Sequence, residues 1–241
     1  MPYQNMTLEE FAKHVGLDAR DVKKMAERDK IPAQKVLGKW RFNRAEVTEW
    51  LQQDMLNLDI NETRLRAIEQ AMSEAGTRDI DQHLVTALMS LNGIDLNLQA
   101  RTKSSVLLEL AGLADRTGLL WDQPGLLTAL QARESLCCTA LPKGIAIPHP
   151  RQPMPYVSSE PFICFARLSK GIGYGSPFGD LTDLFFLICC HEDRHHLHVL
   201  ARMMRILTDD VIHGLRNAET AEQALALLIE REEVVAKQAI K

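Results

Sequence analysis

Histidine is the side chain whose charge changes near neutral pH, so a histidine on a stiff support is a first candidate for chemistry. His149 is one, standing between Pro148 and Pro150 directly after the apolar run Ile145-Ala146-Ile147. The β-branched run predicts a buried strand. Pro148 lacks a backbone N–H and ends the ladder, and Pro150 biases His149 toward an extended backbone. A histidine held in this way is presented in one direction; the bland alternative is a turn with a solvated histidine. A second pattern, His191-Glu192-Asp193-Arg194-His195, spells HExxH. On a helix that spacing puts two histidines on one face for zinc, with the glutamate as general base. Here an apolar run precedes it, which predicts a strand-to-helix corner, and Asp193 and Arg194 are charged where a zinc helix is apolar. Only His198 and His213 offer themselves as a third ligand. The motif is read as adventitious metal binding by His191, His195 and His198, with a zinc hydrolase as the remote alternative, and no metal or other cofactor is expected.

Basic residues form the third chemical feature. Between Ala19 and Arg44 stand nine of them (Arg20, Lys23, Lys24, Arg28, Lys30, Lys35, Lys39, Arg41 and Arg44), against the acidic Asp21, Glu27 and Asp29, a local excess of six positive charges. A phosphate backbone requires such a surface. The alternative is a solvated basic face on a small protein-binding domain. The chain as a whole carries −4 over 241 residues, which excludes a protein that coats nucleic acid along its length. No apolar run approaches a membrane span and no signal peptide is evident. Five cysteines, two pairs of them adjacent, do not make a disulfide framework. A reducing cytoplasm is the expected location.

The elements that position these residues divide the chain into three parts. Residues 1–54 predict helix, turn, helix, hairpin, helix. Thr7 with Glu10 has capping-box spacing, Gly16 stops the first helix and Asp18 caps the second. Val36 to Phe42 predicts two strands around a tight turn, and Arg44 to Leu51 a third helix with Val47, Trp50 and Leu51 inward. Residues 55–83 predict a connector helix capped by Asn61 or Thr63 and ending near Gly76. Its thin stripe of Leu58, Ile60, Leu65, Ile68 and Met72 needs a covering surface. A homodimer and a helix lying on the next domain are the two expectations. Residues 84–236 alternate helical and strand-like segments, the signature of an α/β layer structure. Helices are expected over Ser104–Thr117, Gly125–Glu134, His195–Leu207, Asp209–Leu215 and Ala221–Glu232. Strands are expected at Ile145–Ile147 and Pro161–Leu168, and at Leu184–Cys190, apolar enough to be buried on both faces.

Two resemblances attach to these residues. Met6 to Glu10, Ile31-Pro32-Ala33, Gly38 to Phe42, and Ala45-Glu46-Val47 with Trp50-Leu51 resemble the excisionase/MerR-type winged helix-turn-helix domain. The resemblance implies that the helix from Asp18 to Arg28 enters the major groove and that the hairpin at Gly38 touches backbone or minor groove. DNA-binding residues are then Arg20, Lys23, Lys24, Arg28, Lys39 and Arg41, with Asp18 and Asp21 as an acidic departure. The large domain resembles the enzyme IIA domains of the fructose/mannitol/nitrogen-regulatory type of the bacterial phosphotransferase system. The matching residues are Ile94 to Leu98 with Ala100 to Lys103, Leu130, Arg133 to Ser135, Gly144 to His149, Gly175, Phe178 to Asp180, Thr182 to Leu187, and His196 to Ala201.

That resemblance implies an enzyme IIA-like central mixed sheet flanked by helices, in an α/β (α+β) fold. It implies that His149 accepts a phosphoryl group from the histidine phosphocarrier protein, that Arg133 lies against the phosphoryl oxygens and that His196 orients or shields His149. No metal is needed. Transfer between histidines requires a neutral imidazole nitrogen and positive charge or N–H donors around three oxygens. Two departures stand out: Thr139 to Lys143 carries none of the family's glycines, and Pro150 removes a donor that a glycine there supplies. The pairing with a DNA-binding module is closest to the nitrogen-type regulatory branch. A sugar-transport component and a sensor that has lost phosphorylation are the alternatives.

Overall fold

A computed structural model describes residues 5–56, 60–73, 83–177 and 179–239. Two units emerge: residues 1–80 with Leu197–Arg205, and residues 81–196 with 206–241.

In the first unit, β1 (Asn5–Met6) leads into α1 (Leu8–Val15), where Thr7 and Glu10 form the expected capping box. Gly16 ends α1 in the left-handed region, φ +67°, and a Cβ there would meet the Ala67 carbonyl oxygen at 2.5 Å, so both conformation and space demand glycine. The Asp18 carboxylate caps α2 (Ala19–Glu27). β2 (Gln34–Val36) and β3 (Lys39–Asn43) form the hairpin, and β1 pairs with the other edge of β3. α3 runs over Arg44–Met55, a turn beyond its expected end, because Gln52 and Met55 continue the buried face. Phe11, Val22, Phe42, Val47 and Leu51 make the core; Trp50 is only half-buried, its ring 5.9 Å from Phe11.

α4 (Glu62–Met72) starts from an Asn61 cap. The expected stop at Gly76 and the apolar Leu58 lie outside the described residues. Leu65, Ile68 and Met72 are buried within this unit, where α4 packs on α1. Glu69 is buried with them, bound by two arginines from Leu197–Arg205. Its Oε1 accepts from Arg202 Nε at 2.6 Å and its Oε2 from Arg205, whose Nε also bonds Glu62 at 2.7 Å. Both arginine side chains are fully buried.

The second unit is a five-stranded mixed sheet in the order β4-β7-β8-β6-β5. β4 (Met89–Asp95) precedes the helices α5 (Lys103–Arg116) and α6 (Gln123–Leu136). The opening strand ends at Asp95, whose carboxylate accepts the Asn97 N–H and turns the chain. β5 (Ala140–Leu141) and β6 (Ile145–Ala146) flank a short 3-10 turn. β7 (Phe162–Ile172) outruns its expected end, and β8 (Thr182–Cys189) is nearly all buried. α7 (Asp193–Ile206), α8 (Asp209–Asn217) and α9 (Ala221–Ala239) follow, α9 running past the expected Glu232. Phe162, Cys164 and Ala166 of β7 and Phe185, Leu187 and Cys189 of β8 face a core shared with α5 and α6. The alternate residues, among them Phe165 and Phe186, are also buried, so both faces are covered. Among the described residues no helix is long and apolar enough to cross a membrane.

Candidate functional site

The site grows from two parallel strands. β6 pairs with β8 in parallel register, Ile145 with Leu184 and Ala146 with Phe185. The ladder continues one step beyond β6: Ile188 N–H donates to the Pro148 carbonyl at 3.0 Å, and Ile147 N–H to Thr139 O at 3.1 Å. His149 follows immediately, at the carboxyl ends of both strands, where α/β sheets place ligands. β8 then feeds α7, whose first turn brings His196 to His149 with ring centroids 4.9 Å apart.

The tautomer of His149 follows from its partner. Nδ1 lies 2.7 Å from the Ile147 carbonyl, which can only accept, so Nδ1 carries the proton and Nε2 keeps its lone pair. His149 is completely buried, and neither its Nε2 nor that of His196 has a hydrogen-bond partner in the described structure. Burial holds the His149 pKa well below the usual imidazole range, with charge interactions from His196 and Arg133 pushing the same way against the Ile147 bond. His196 is pushed down to about 4, first by burial and then by the charges of Arg133 and His195. Both rings are neutral at pH 7. An unprotonated, unpartnered nitrogen is a nucleophile awaiting an electrophile.

Arg133 sits near the end of α6, buried, its Nη1 donating to Cys137 O at 2.8 Å. That hydrogen bond runs to the carbonyl rather than to the neighbouring Glu134. Glu134 itself takes three donors: Thr139 N–H at 3.0 Å, Thr139 hydroxyl at 2.6 Å and Lys103 Nζ at 3.2 Å. The end of α6 therefore clamps the segment leading into β5 from two adjacent residues. The sequence singled out Glu134 only as a member of a matching segment; its role needed the position of Thr139.

The turn before β6 meets its backbone requirement without the glycines expected there. Lys143 itself takes φ +66° and Gly144 φ +77°. Lys143 N–H donates to Asp180 Oδ2 at 3.0 Å, and Arg216 caps the Lys143 carbonyl while forming a two-pronged pair with Asp183. A Cβ on Gly144 would meet Leu181 O at 2.8 Å, so this glycine is obligatory. Phe178 lies outside the described residues.

His191 lies ahead of α7 and bonds the buried Ser158 hydroxyl at 3.0 Å, so it shares no helical face with His195. Among the described residues no group of three or more His, Cys, Asp or Glu side chains is arranged to hold a metal.

In the N-terminal unit, Arg20, Lys23, Lys24, Arg28 and Lys39 are exposed and Arg41 half-buried. Three of them are engaged within α2 or its cap: Arg20 with Asp18 at 3.8 Å, Lys24 with Asp21 at 3.4 Å and Lys23 with Glu27 at 4.0 Å. The acidic residues thus pair off part of the basic face of the helix. Lys23 and Glu27 line an open cleft of about 600 Å³ with Lys35, Lys39 and Arg41 of the hairpin.

A mixed α/β unit with a histidine pair at its strand ends, in a chain that also carries a helix-turn-helix unit, defines the class. Residues 87–231 match the family model described as phosphoenolpyruvate-dependent sugar phosphotransferase system, EIIA 2, and residues 6–55 match a helix-turn-helix domain. The chain belongs to the EIIA 2 family and carries an N-terminal helix-turn-helix domain. It is 34% identical over 148 residues to a nitrogen regulatory protein of Bradyrhizobium diazoefficiens, covering 60% of this chain and 94% of that protein. It is 29% identical over 147 residues to the fructose-specific EIIABC component of the phosphotransferase system of Bacillus subtilis, covering 60% of this chain but only 23% of that protein. The crystal structure of the nitrogen regulatory protein IIA-Ntr from Neisseria meningitidis superposes with a TM-score of 0.54 at 25% identity, over 59% of this chain and 97% of that one.

Proposed function

We propose that this chain is a regulatory phosphocarrier of the nitrogen/fructose type, which accepts a phosphoryl group on His149 and couples it to an N-terminal module that reads DNA. The donor is the phosphorylated histidine carrier protein. The Nε2 lone pair attacks phosphorus, the N–P bond of the carrier breaks, and its electron pair returns to the carrier's imidazole. No proton moves, because Nδ1 stays bonded to the Ile147 carbonyl. Arg133 neutralises charge on the phosphoryl oxygens, and neutral His196 holds the ring in place. The phosphoryl group brings up to about two negative charges, offset by one positive charge on a ring that keeps its Nδ1 proton. That change alters a surface used by a protein partner, a dimer contact or the DNA-binding module, and so ties carbon or nitrogen status to transcription in the cytoplasm. The observation that carries this reading is the fixed tautomer, which leaves Nε2 of a neutral His149 unprotonated and unpartnered.

A second reading, a sensor that is not phosphorylated, is favoured by the complete burial of His149. One experiment separates the two. The protein is incubated with the general phosphotransferase enzyme, the histidine carrier and phosphoenolpyruvate, and its intact mass is compared with that of His149→Ala. Gain of one acid-labile phosphoryl group, absent in the variant, is expected. No gain with a carrier that phosphorylates a control enzyme IIA rejects the phosphocarrier in favour of the sensor, and Pro150→Gly is then the first reversion to make.

A further inference from the structure

Leu37 is the most exposed of the large apolar residues that project from the described surface, at 98%. It stands at the tip of the β2–β3 hairpin. Val36 pairs with Lys39, so the turn has two residues, and both have positive φ: Leu37 at +49° and Gly38 at +76°. That is the sign pattern of a type I′ turn, whose first position favours asparagine, aspartate or glycine. A bulky leucine there is strained and covers nothing, so folding gains nothing from it. Val36 beside it is also half exposed.

The surroundings indicate what the tip meets. Lys35, Lys39 and Arg41 stand on the two strands behind it, with the Lys35 ammonium 5.6 Å from the Trp40 ring centroid. An apolar point in a basic collar matches a ligand that is anionic outside and apolar between its layers. Stacked base pairs between two phosphate backbones have that construction.

We propose that Leu37 is an apolar wedge that enters the DNA minor groove, separates a base step and kinks the duplex, while Lys35, Lys39 and Arg41 hold the flanking phosphates. The proposal rests on the DNA-binding reading of the N-terminal module. The full chain is used to select ligands from a random duplex pool. Affinity of the selected duplex is then measured against salt, and its end-to-end distance by fluorescence energy transfer.

Leu37→Asn is the decisive variant, because asparagine suits the turn and keeps the hairpin folded; an unreduced melting temperature checks this. It is expected to weaken binding about tenfold or more and to straighten the duplex, with an unchanged slope of log affinity against log salt. Lys39→Ala is expected to lower that slope by about one and leave the bend. If Leu37→Asn binds and bends DNA like the parent, the wedge is wrong and the DNA-binding reading stands. If the parent selects no duplex at all, both fall, and the tip belongs to a protein contact.

Discussion

The hydrogen bond from Nδ1 to the Ile147 carbonyl decides which nitrogen of His149 can react. The environment decides that it is neutral. Both site histidines have pKa values below the ordinary imidazole value, His196 at about 4. As pH falls below 6.5 the unfolded chain gains protons that the native site refuses, so stability drops below that pH, for His196 down to about 4, and is unaffected by these groups above it. The slope is about 1.4 kcal/mol per pH unit per histidine. Replacing His196 by Gln is expected to flatten it by about one proton's worth, measured as urea midpoints between pH 4 and 7.5. By the same logic the rate of His149 phosphorylation should not fall as pH passes down through 6.5; a fall centred there shows a ring that titrates normally. Gly144→Ala forces a Cβ against the Leu181 carbonyl at positive φ and is expected to cost about 1–3 kcal/mol in thermal unfolding.

Elements carry these side chains in register. α6 holds Arg133 over the Cys137 carbonyl and Glu134 over Thr139, so the segment entering β5 is fixed by the helix that also supplies the cationic group. Glu134→Ala leaves the buried Thr139 hydroxyl and N–H without their acceptor. The expected loss is about 2–4 kcal/mol, with slower phosphorylation of the folded fraction in the mass assay. α7 carries His196 in its first turn and Arg202 and Arg205 two turns on, where both arginines clasp Glu69 of α4. Glu69→Ala removes the carboxylate that two buried guanidinium groups share and should cost about 3–5 kcal/mol, measured as a shift in the urea midpoint.

For the whole molecule, the chemical problem is access. His149 has no exposed surface, so transfer from a protein-bound phosphohistidine requires a step that uncovers Nε2. Phosphorylation is therefore expected to saturate with carrier concentration at a rate set by opening, the same for two different carriers. Rapid-mixing measurements that rise linearly to the diffusion limit reject this. The basic face of the other unit is thinner than its composition implied, since Asp18, Asp21 and Glu27 engage Arg20, Lys24 and Lys23. Its affinity for duplex should fall steeply with salt and rise when Asp21 is changed to Asn, in a titration over 50–200 mM salt.

The local features were legible in the chain. The Thr7–Glu10 capping box, the Asp18 and Asn61 caps, the two-residue hairpin turn and the doubly buried β8 all follow from neighbours within four residues or from period-two burial, which short-range sterics and hydrogen bonding dictate. The proline-bracketed His149 was visible for the same reason. The helix ends were less so, because α3, α6 and α9 extend as far as tertiary burial rewards them. What only the tertiary structure decided is which distant groups meet. β8 lies beside β6, and that adjacency alone delivers His196 to His149. Arg202 and Glu69, 133 residues apart, are each an ordinary polar residue of an amphipathic helix until packing excludes water from both. Periodicity reports which face of an element is buried; it carries no information on which other element does the burying, and that choice sets the charge, the tautomer and the chemistry of the site.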